Sequence, residues 1–322
     1  MAHSWSDLGG GYYAQPELSL EARSVAAKKS KFFDILTSAG DVALGKNHGE
    51  TVVCKQWGRI THDATNALSE YSPIPFATVP EYTRTATVYE RGVGVTYTGQ
   101  REMLDRLGIE DPIIHALNDH SSRTHNELIY DAAVAGRSFC YTPLSATSGN
   151  FTTNGSPTGT AAAAYNGYHA REVPTQLQKY NTPFFDGENY VCVGSPTFMK
   201  GLYNDTTAVS GFVDVKKYTS GADGALNGEV GTYFGVRYVV DNDIMNSYDA
   251  IGSGSAFGSA LFFGLDGVIE IPVMPMELRM NKNISNDFGR QAGVAWMSLL
   301  GYLVTWVYAT QGQGTICHYT TA

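Results

Sequence analysis

His115, His120 and His125 recur at intervals of five residues, and histidines at a fixed spacing are the first place to look for a metal site. On a helix, each step of five turns the side chain by about 140°, whereas a helical metal pair needs residues three or four apart. No H-E-x-x-H accompanies them, so metal-assisted hydrolysis is not expected. Gly252-Ser253-Gly254 to Gly258 reads G-x-G-x-x-x-G, one residue off a dinucleotide fingerprint, and no helix start follows it. There is no phosphate-binding loop of the Walker type, no G-x-S-x-G and no carboxylate pair in a catalytic motif. Asp241, Asp243 and Asp249 lack calcium-loop spacing and read as turn formers. Cys54, Cys140, Cys192 and Cys317 lie far apart without C-x-x-C, as free buried thiols of a reducing compartment would. Asn150, Asn204 and Asn283 match the glycosylation pattern, but the opening MAHSWSDLGGGYYAQP has no apolar core to act as a secretion signal. The residues that could do chemistry therefore point to no catalytic, cofactor-binding or metal site.

The histidines sit in the stretch around which the chain is organised. Asp111 can cap a helix and Pro112 can begin it, while Ile113, Ile114, Leu117, Leu128, Ile129, Ala132 and Ala135 recur at helical spacing up to the stop at Gly136. The predicted helix, 111–135, would run roughly 36 Å, well beyond the usual length. Its ends are apolar and its middle, His120 to Asn126, is polar. That pattern predicts a strut that anchors two packed regions and leaves its centre for other contacts.

Around the strut, composition suggests a surface made for protein contacts. Of 322 residues only 16% are charged, with 35 glycines and 20 tyrosines. A net charge of −9 argues against a dedicated nucleic-acid reader. Residues 1–30 read as an arm carrying the one basic cluster, Arg23, Lys28, Lys29 and Lys31, suited to a neighbouring subunit or a polyanion. From 50 to 100 the strand-like runs Thr51–Trp57, Thr83–Tyr89 and Val93–Thr98 flank Pro73, Pro75 and Pro80. This segment has interleaved charges and little apolar surface, so a projecting hairpin that lies on another chain is expected. Residues 145–169 read as a surface loop, Pro174–Tyr180 as a short helix, and Asn189–Gly194 as a buried strand before a helix capped by Ser195. Glu229–Asp241 reads as strand, turn, strand, and Val268–Met280 and Gln291–Tyr308 as extended. The uncharged run Ala292–Ala309 is rich in Val, Trp and Tyr and is expected to be buried strand, with no membrane partner. With strands and helices mixed and no regular βαβ alternation, the fold class is α+β.

This order of elements resembles the major capsid proteins of tailed bacteriophages with the Hong Kong 97-type fold, and more narrowly the branch typified by coliphage N-four. Gly228-Glu229-Val230-Gly231 with Gly235-Val236-Arg237 is similar to that branch's G-E-x-G-x-x-x-G-x-R signature. Tyr190 to Leu202, YVCVGSPTFMKGL, resembles the strand–helix entry to the A-domain, and Asp287–Trp296 the last P-domain turn and strand. Leu68-Ser69-Glu70 resembles the L-x-E-G-x-x-P stretch, with Tyr71 in place of the glycine. The resemblance runs from about Gly49 to Thr310. It implies an N-terminal arm (1–30), a lead-in (31–49), an E-loop hairpin (50–100), a P-domain with the spine helix (101–188), an A-domain (189–259) and returning P-domain strands (260–322).

It also implies a structural, non-enzymatic subunit that assembles with itself, as hexamers and pentamers, into an icosahedral virion shell in the host cytoplasm. Portal, scaffold and decoration proteins are implied as further partners, with non-specific contact to packaged double-stranded DNA. The expected interface residues on the hairpin are Lys55, Arg59, Glu70, Arg84, Glu90 and Arg91. Some relatives cross-link through a lysine and an asparagine, but no motif identifies a partner for Lys55, and the bond is not predicted. An encapsulin-type compartment shell keeps the fold and changes the cargo. A soluble hydrolase using the helix histidines is the alternative from another class.

Overall fold

The computed structural model describes residues 12–14, 31–32, 36–38, 51–58, 60, 68, 70–71, 73–104, 110–153, 163–205, 229–243, 258–281, 290–304 and 316–319. Two sheets and one long helix carry the architecture. The first sheet is built on the long antiparallel pair β12 (Ile269–Asn281) and β13 (Gln291–Leu303). On one side of this pair lies β5 (Tyr89–Thr98). On the other lie β1 (Tyr12–Ala14), antiparallel, and β2 (Thr37–Ser38), parallel, at opposite ends of β12. Pro272 and Pro275 cannot donate to a ladder, and the register of β12 slips twice between Pro272 and Glu277.

The second sheet has seven strands in the order β7-β6-β14-β11-β8-β10-β9. These are β6 (Phe139–Ser145), β7 (Ser148–Thr152), β8 (Tyr190–Gly194), β9 (Glu229–Tyr233), β10 (Val236–Val240), β11 (Ala260–Phe263) and β14 (Ile316–Tyr319). One face, with Val191, Val193, Val239, Leu261 and Phe263, packs under the long helix. The other, with Tyr190, Cys192, Tyr238 and Phe262, packs under α3 (Gly167–Lys179) and α4 (Pro196–Asn204). Strands covered on both faces read as unbroken apolar runs, which is why YVCVG and ALFF stand out in the sequence.

After α1 (Gly99–Leu104) comes the long helix, α2 (Glu110–Ala135). Tyr97 at the end of β5 donates a 2.7 Å hydrogen bond to Glu110 and so ties the helix start to the first sheet. Ile113, Ile114 and Leu117 pack on Tyr97, Leu278, Val294 and Trp296 of that sheet. Ile129, Tyr130 and Ala133 pack on the second. The strut thus joins two cores. Its middle, expected to be left for other contacts, finds many of them inside the subunit: Ser121, Ser122, His125 and Asn126 are buried, while His120 and Arg123 are exposed. Short polar side chains can close their own hydrogen bonds in a helix, as Ser121 does with the carbonyl of Asn118 at 2.8 Å, so polarity did not require solvent.

Two further expectations are corrected. The segment 145–169 holds strand β7, in which Phe151 stacks 4.4 Å from Tyr141 and Gly149 makes room for the Tyr141 hydroxyl. Gly, Ser and Asn hid that strand's periodicity; residues 154–162 lie outside the described ones. Helix α3 starts well before Pro174, because the Asn166 side chain accepts from the N–H groups of Tyr168 and His169 and caps it. Pro174 is accommodated as a buried residue inside the helix.

Ser195 caps α4 as expected, accepting from Phe198 N–H at 3.2 Å, with Pro196 in the first turn. Gly258, at φ +83°, passes so close that a Cβ there would strike the backbone nitrogen of Phe198. No helix among the described residues is long and apolar enough to cross a membrane. Ala292–Leu303 belongs to β13, and 305–309 lies outside the described residues.

Candidate assembly surfaces

The segment expected as one hairpin divides in two. Strands β3 (Thr51–Trp57) and β4 (Glu81–Thr87) pair in register from Thr51–Thr87 to Trp57–Glu81 and form a separate two-stranded ribbon. The third strand-like run leaves it: β5 pairs along its whole length with β13. The root of the ribbon, Val52, Cys54, Ala86 and Val88, packs on Ile271, Val273, Leu299 and Leu303 of the first sheet. Beyond the root, the Gly58 N–H donates to the Pro80 carbonyl at 2.7 Å and closes the two strands.

Around and past that closure, large apolar side chains stand exposed among the described residues. Tyr71 is 92% exposed and Phe76 99%, with Trp57, Ile60, Leu68, Ile74 and Val79 also exposed. Pro73 and Pro75 cannot donate to a ladder, and residues 73–80 form no strand. An uncovered apolar run of this kind marks an interaction surface. Composition averaged over 50–100 concealed it, because the polar strands diluted a short, concentrated tip. The I-P-F run was the available signal.

The predicted interface charges fall in different places. Lys55 pairs with Glu81 of its own ribbon at 2.8 Å, which raises the Lys55 pKa through that hydrogen bond and charge. Glu70 stands exposed at the tip and Arg84 is half-buried on β4. Glu90 and Arg91 lie on β5 in the first sheet, not on the ribbon. Arg91 is half-buried and its guanidinium lies 5.8 Å from the Tyr89 ring centre. Lys31 is half-buried, next to the fully buried Phe32. Arg59, Arg23, Lys28 and Lys29 lie outside the described residues.

The three histidines do not converge on one another. His115 is exposed. His120 and His125 both turn to Trp296 of β13, their ring centres 5.8 and 5.7 Å from its own. The Trp296 indole N–H donates to His120 Nδ1 at 3.2 Å, so His120 carries its proton on Nε2 when neutral. His125 Nδ1 lies 3.2 Å from the Tyr302 hydroxyl. No group of three metal-ligating side chains occurs among the described residues. Asp243 is drawn to the same helix, where Arg123 grips its carboxylate at 2.9–3.1 Å.

Burial, aided by the Arg91 charge, pushes the His125 pKa down to about 4. Burial likewise lowers His169 to about 4, against a hydrogen bond with the Ser145 backbone. His169 Nδ1 meets the Tyr141 hydroxyl at 2.5 Å beneath α3. Both imidazoles are neutral in the fold, while an unfolded chain protonates its histidines near pH 6.5. Between about 6.5 and about 4 the unfolded state therefore binds more protons, and stability falls as pH falls. Thermal melts should show a Tm that is flat above about pH 7 and declines toward pH 4. Replacing both histidines with glutamine should flatten that decline; an unchanged slope would assign the acid sensitivity to other groups.

The arrangement supplies surfaces for contact and a rigid frame behind them. No family model matches the sequence, and no curated protein matches it. In structure, the chain is similar to the capsid subunit of cyanophage Pam1, with a TM-score of 0.64 at 14% identity over 92% of this chain and 93% of that one. The capsid of Ralstonia phage GP4 gives 0.66 at 15% identity over 90% and 91%. The head of Helicobacter pylori bacteriophage KHP40 gives 0.59 at 13% identity over 90% of each chain. The class these similarities define is the capsid-subunit fold of tailed bacteriophages. This chain adopts that fold over about nine-tenths of its length, a Hong Kong 97-like α+β architecture with spine helix, projecting ribbon and two sheets.

Proposed function

We propose that this chain is the structural major capsid protein of a tailed bacteriophage, whose copies assemble into an icosahedral shell around packaged double-stranded DNA. The observation that carries this reading is the likeness to phage capsid subunits over about nine-tenths of both chains. The ribbon supports it physically. An apolar tip exposed on a projecting arm is unfavourable in a free subunit and favourable once it lies on a neighbour. Strand β5 adds a second open surface, since the first sheet ends there among the described residues and a shallow groove runs beside Gly92–Gly94.

On this reading β3–β4 is the E-loop, α2 the spine helix, and the protein acts without catalysis or cofactor. The chain's place would be the virion capsid, with assembly in the host cytoplasm. Hexamers and pentamers of the chain would meet portal, scaffold and decoration proteins, and the basic arm with Arg23, Lys28, Lys29 and Lys31 would face DNA or a neighbour. We assign the N-four-like branch on the Gly228–Arg237 signature. In the fold, Arg237 of that signature holds Asp186 at 2.9 Å, and Gly235 turns the β9–β10 hairpin at φ +71°.

Expression of the chain followed by electron microscopy of the soluble fraction tests the proposal. Closed, uniform shells are the expected result. A chain that stays monomeric at high concentration, alone and with its neighbouring phage gene products, would overturn it.

A further inference from the structure

Asn166 stands immediately before Gly167, the first residue of α3. Its Oδ1 accepts from the Tyr168 and His169 N–H groups at 3.0 and 3.2 Å, which caps the helix. Its Nδ2 donates to the Ala146 carbonyl at 2.8 Å and ties the β6–β7 turn to α3. The Gly167 N–H donates to a carboxylate oxygen of Asp205 at 2.8 Å, just past the end of α4.

These contacts are the parts of an intramolecular amide reaction. A backbone nitrogen can attack the side-chain carbonyl of the asparagine before it, and glycine leaves that nitrogen most open because it carries no Cβ. Asp205 lies within general-base distance of the Gly167 nitrogen. The two N–H groups at the helix start already hold the oxygen on which negative charge would gather, as an oxyanion hole does. Asn166 is half-buried, so water reaches it. Its backbone, at ψ −178°, has to turn to bring Cγ over the nitrogen.

We propose that Asn166–Gly167 is a self-modification site, at which Asn166 is converted to an acid with Asp205 as the base. The Gly167 nitrogen gives its proton to Asp205 and bonds to Asn166 Cγ. The Cγ–Nδ2 bond then breaks, and ammonia leaves with the proton from Asp205. Water opens the resulting succinimide at either carbonyl, giving aspartate or isoaspartate. Aspartate still caps the helix, but its carboxylate cannot donate to the Ala146 carbonyl. The reaction therefore releases the β6–β7 turn from α3 once and irreversibly, whatever the state of assembly.

Two further Asn-Gly pairs, Asn154–Gly155 and Asn227–Gly228, lie outside the described residues and serve as references for ordinary Asn-Gly reactivity. The purified chain is incubated, digested and mapped by mass for the gain that exchange of an amide for an acid brings. In folded protein Asn166 should convert ahead of both references, and in urea all three rates should converge. Asp205→Asn should slow conversion at Asn166 alone by about tenfold or more, and Asp205→Glu should restore much of the rate. Asn166→Asp, the product made by mutation, should keep α3 and show faster amide exchange over 146–152. Conversion at Asn154 and Asn227 with Asn166 intact would mean that the cap protects the side chain, and would overturn the proposal. So would a rate at Asn166 that ignores Asp205, or one that is equal in folded and unfolded chain. That last comparison decides the matter even if the Asp205 variants fail to fold. Unchanged exchange in Asn166→Asp would strike the release of the turn.

Discussion

A chain in which residues 59–79 are replaced by a short Gly-Ser turn should fold as well as wild type and build no closed shells. The junction is favourable, because Gly58 and Pro80 already meet through a 2.7 Å hydrogen bond. The ribbon root stays packed through Val52, Ala86 and Val88, so the subunit core is untouched. Circular dichroism should be unchanged, and stability should stay within about 0.5 kcal/mol, as for surface changes away from the core. Sedimentation should show free subunits or small rings.

The deletion removes the exposed tip side chains, of which Tyr71 and Phe76 are the largest. A buried interface aromatic is worth roughly 2 kcal/mol or more, and a closed shell repeats that deficit at every copy. The triple change Tyr71→Ser, Ile74→Ser and Phe76→Ser should reproduce the defect. Charge reversal at the exposed tip residue Glu70 should do far less, since an exposed ion pair contributes at most about 1 kcal/mol. Unfolding of the deleted chain would place the tip in the subunit's own core. Normal shells from it would show that assembly rests on other surfaces.

Trp296→Ala should cost the subunit about 3–5 kcal/mol, a large part of the stability of a domain. Trp296 is 1% exposed at the centre of β13 and touches both His120 and His125 across the helix. Its truncation would leave a cavity between the strut and the first sheet, and would remove the hydrogen bond to His120. Chemical denaturation should show the change as a fall in midpoint with unchanged slope. Trp296→Phe, which keeps much of the volume, should recover most of the stability. A cost below about 1 kcal/mol for the alanine variant would mean that the site collapses around the gap and the strut is not anchored there.

Both expectations depend on features of different visibility in the sequence. The long helix was legible from Asp111 to Ala135 because its apolar positions recur at 3.6-residue spacing with a proline at one end and a glycine after the other. Strand β8 was legible because both its faces are covered and the run is wholly apolar. The cap at Ser195 and the turn at Gly235 were legible because each depends on a single residue's own chemistry.

Local sequence could not decide which partner each element takes. Strand-like character in Val93–Thr98 is the same whether it pairs with β4 or with β13, and only the packed sheet selects β13. The polar middle of the strut was legible as a contact region, but not its partners, because polarity alone does not show that Trp296 and Tyr302, 176 and 177 residues along the chain from the histidines they meet, will cover it. The projection of the segment was legible from its composition. The exposed apolar tip at Tyr71, Ile74 and Phe76 was not, because its few apolar side chains are averaged with the polar strands around them. Residue type and spacing determined which elements form, through backbone propensity and periodicity. Tertiary structure decided which surfaces remain open, because exposure depends on what the distant parts of the chain leave uncovered.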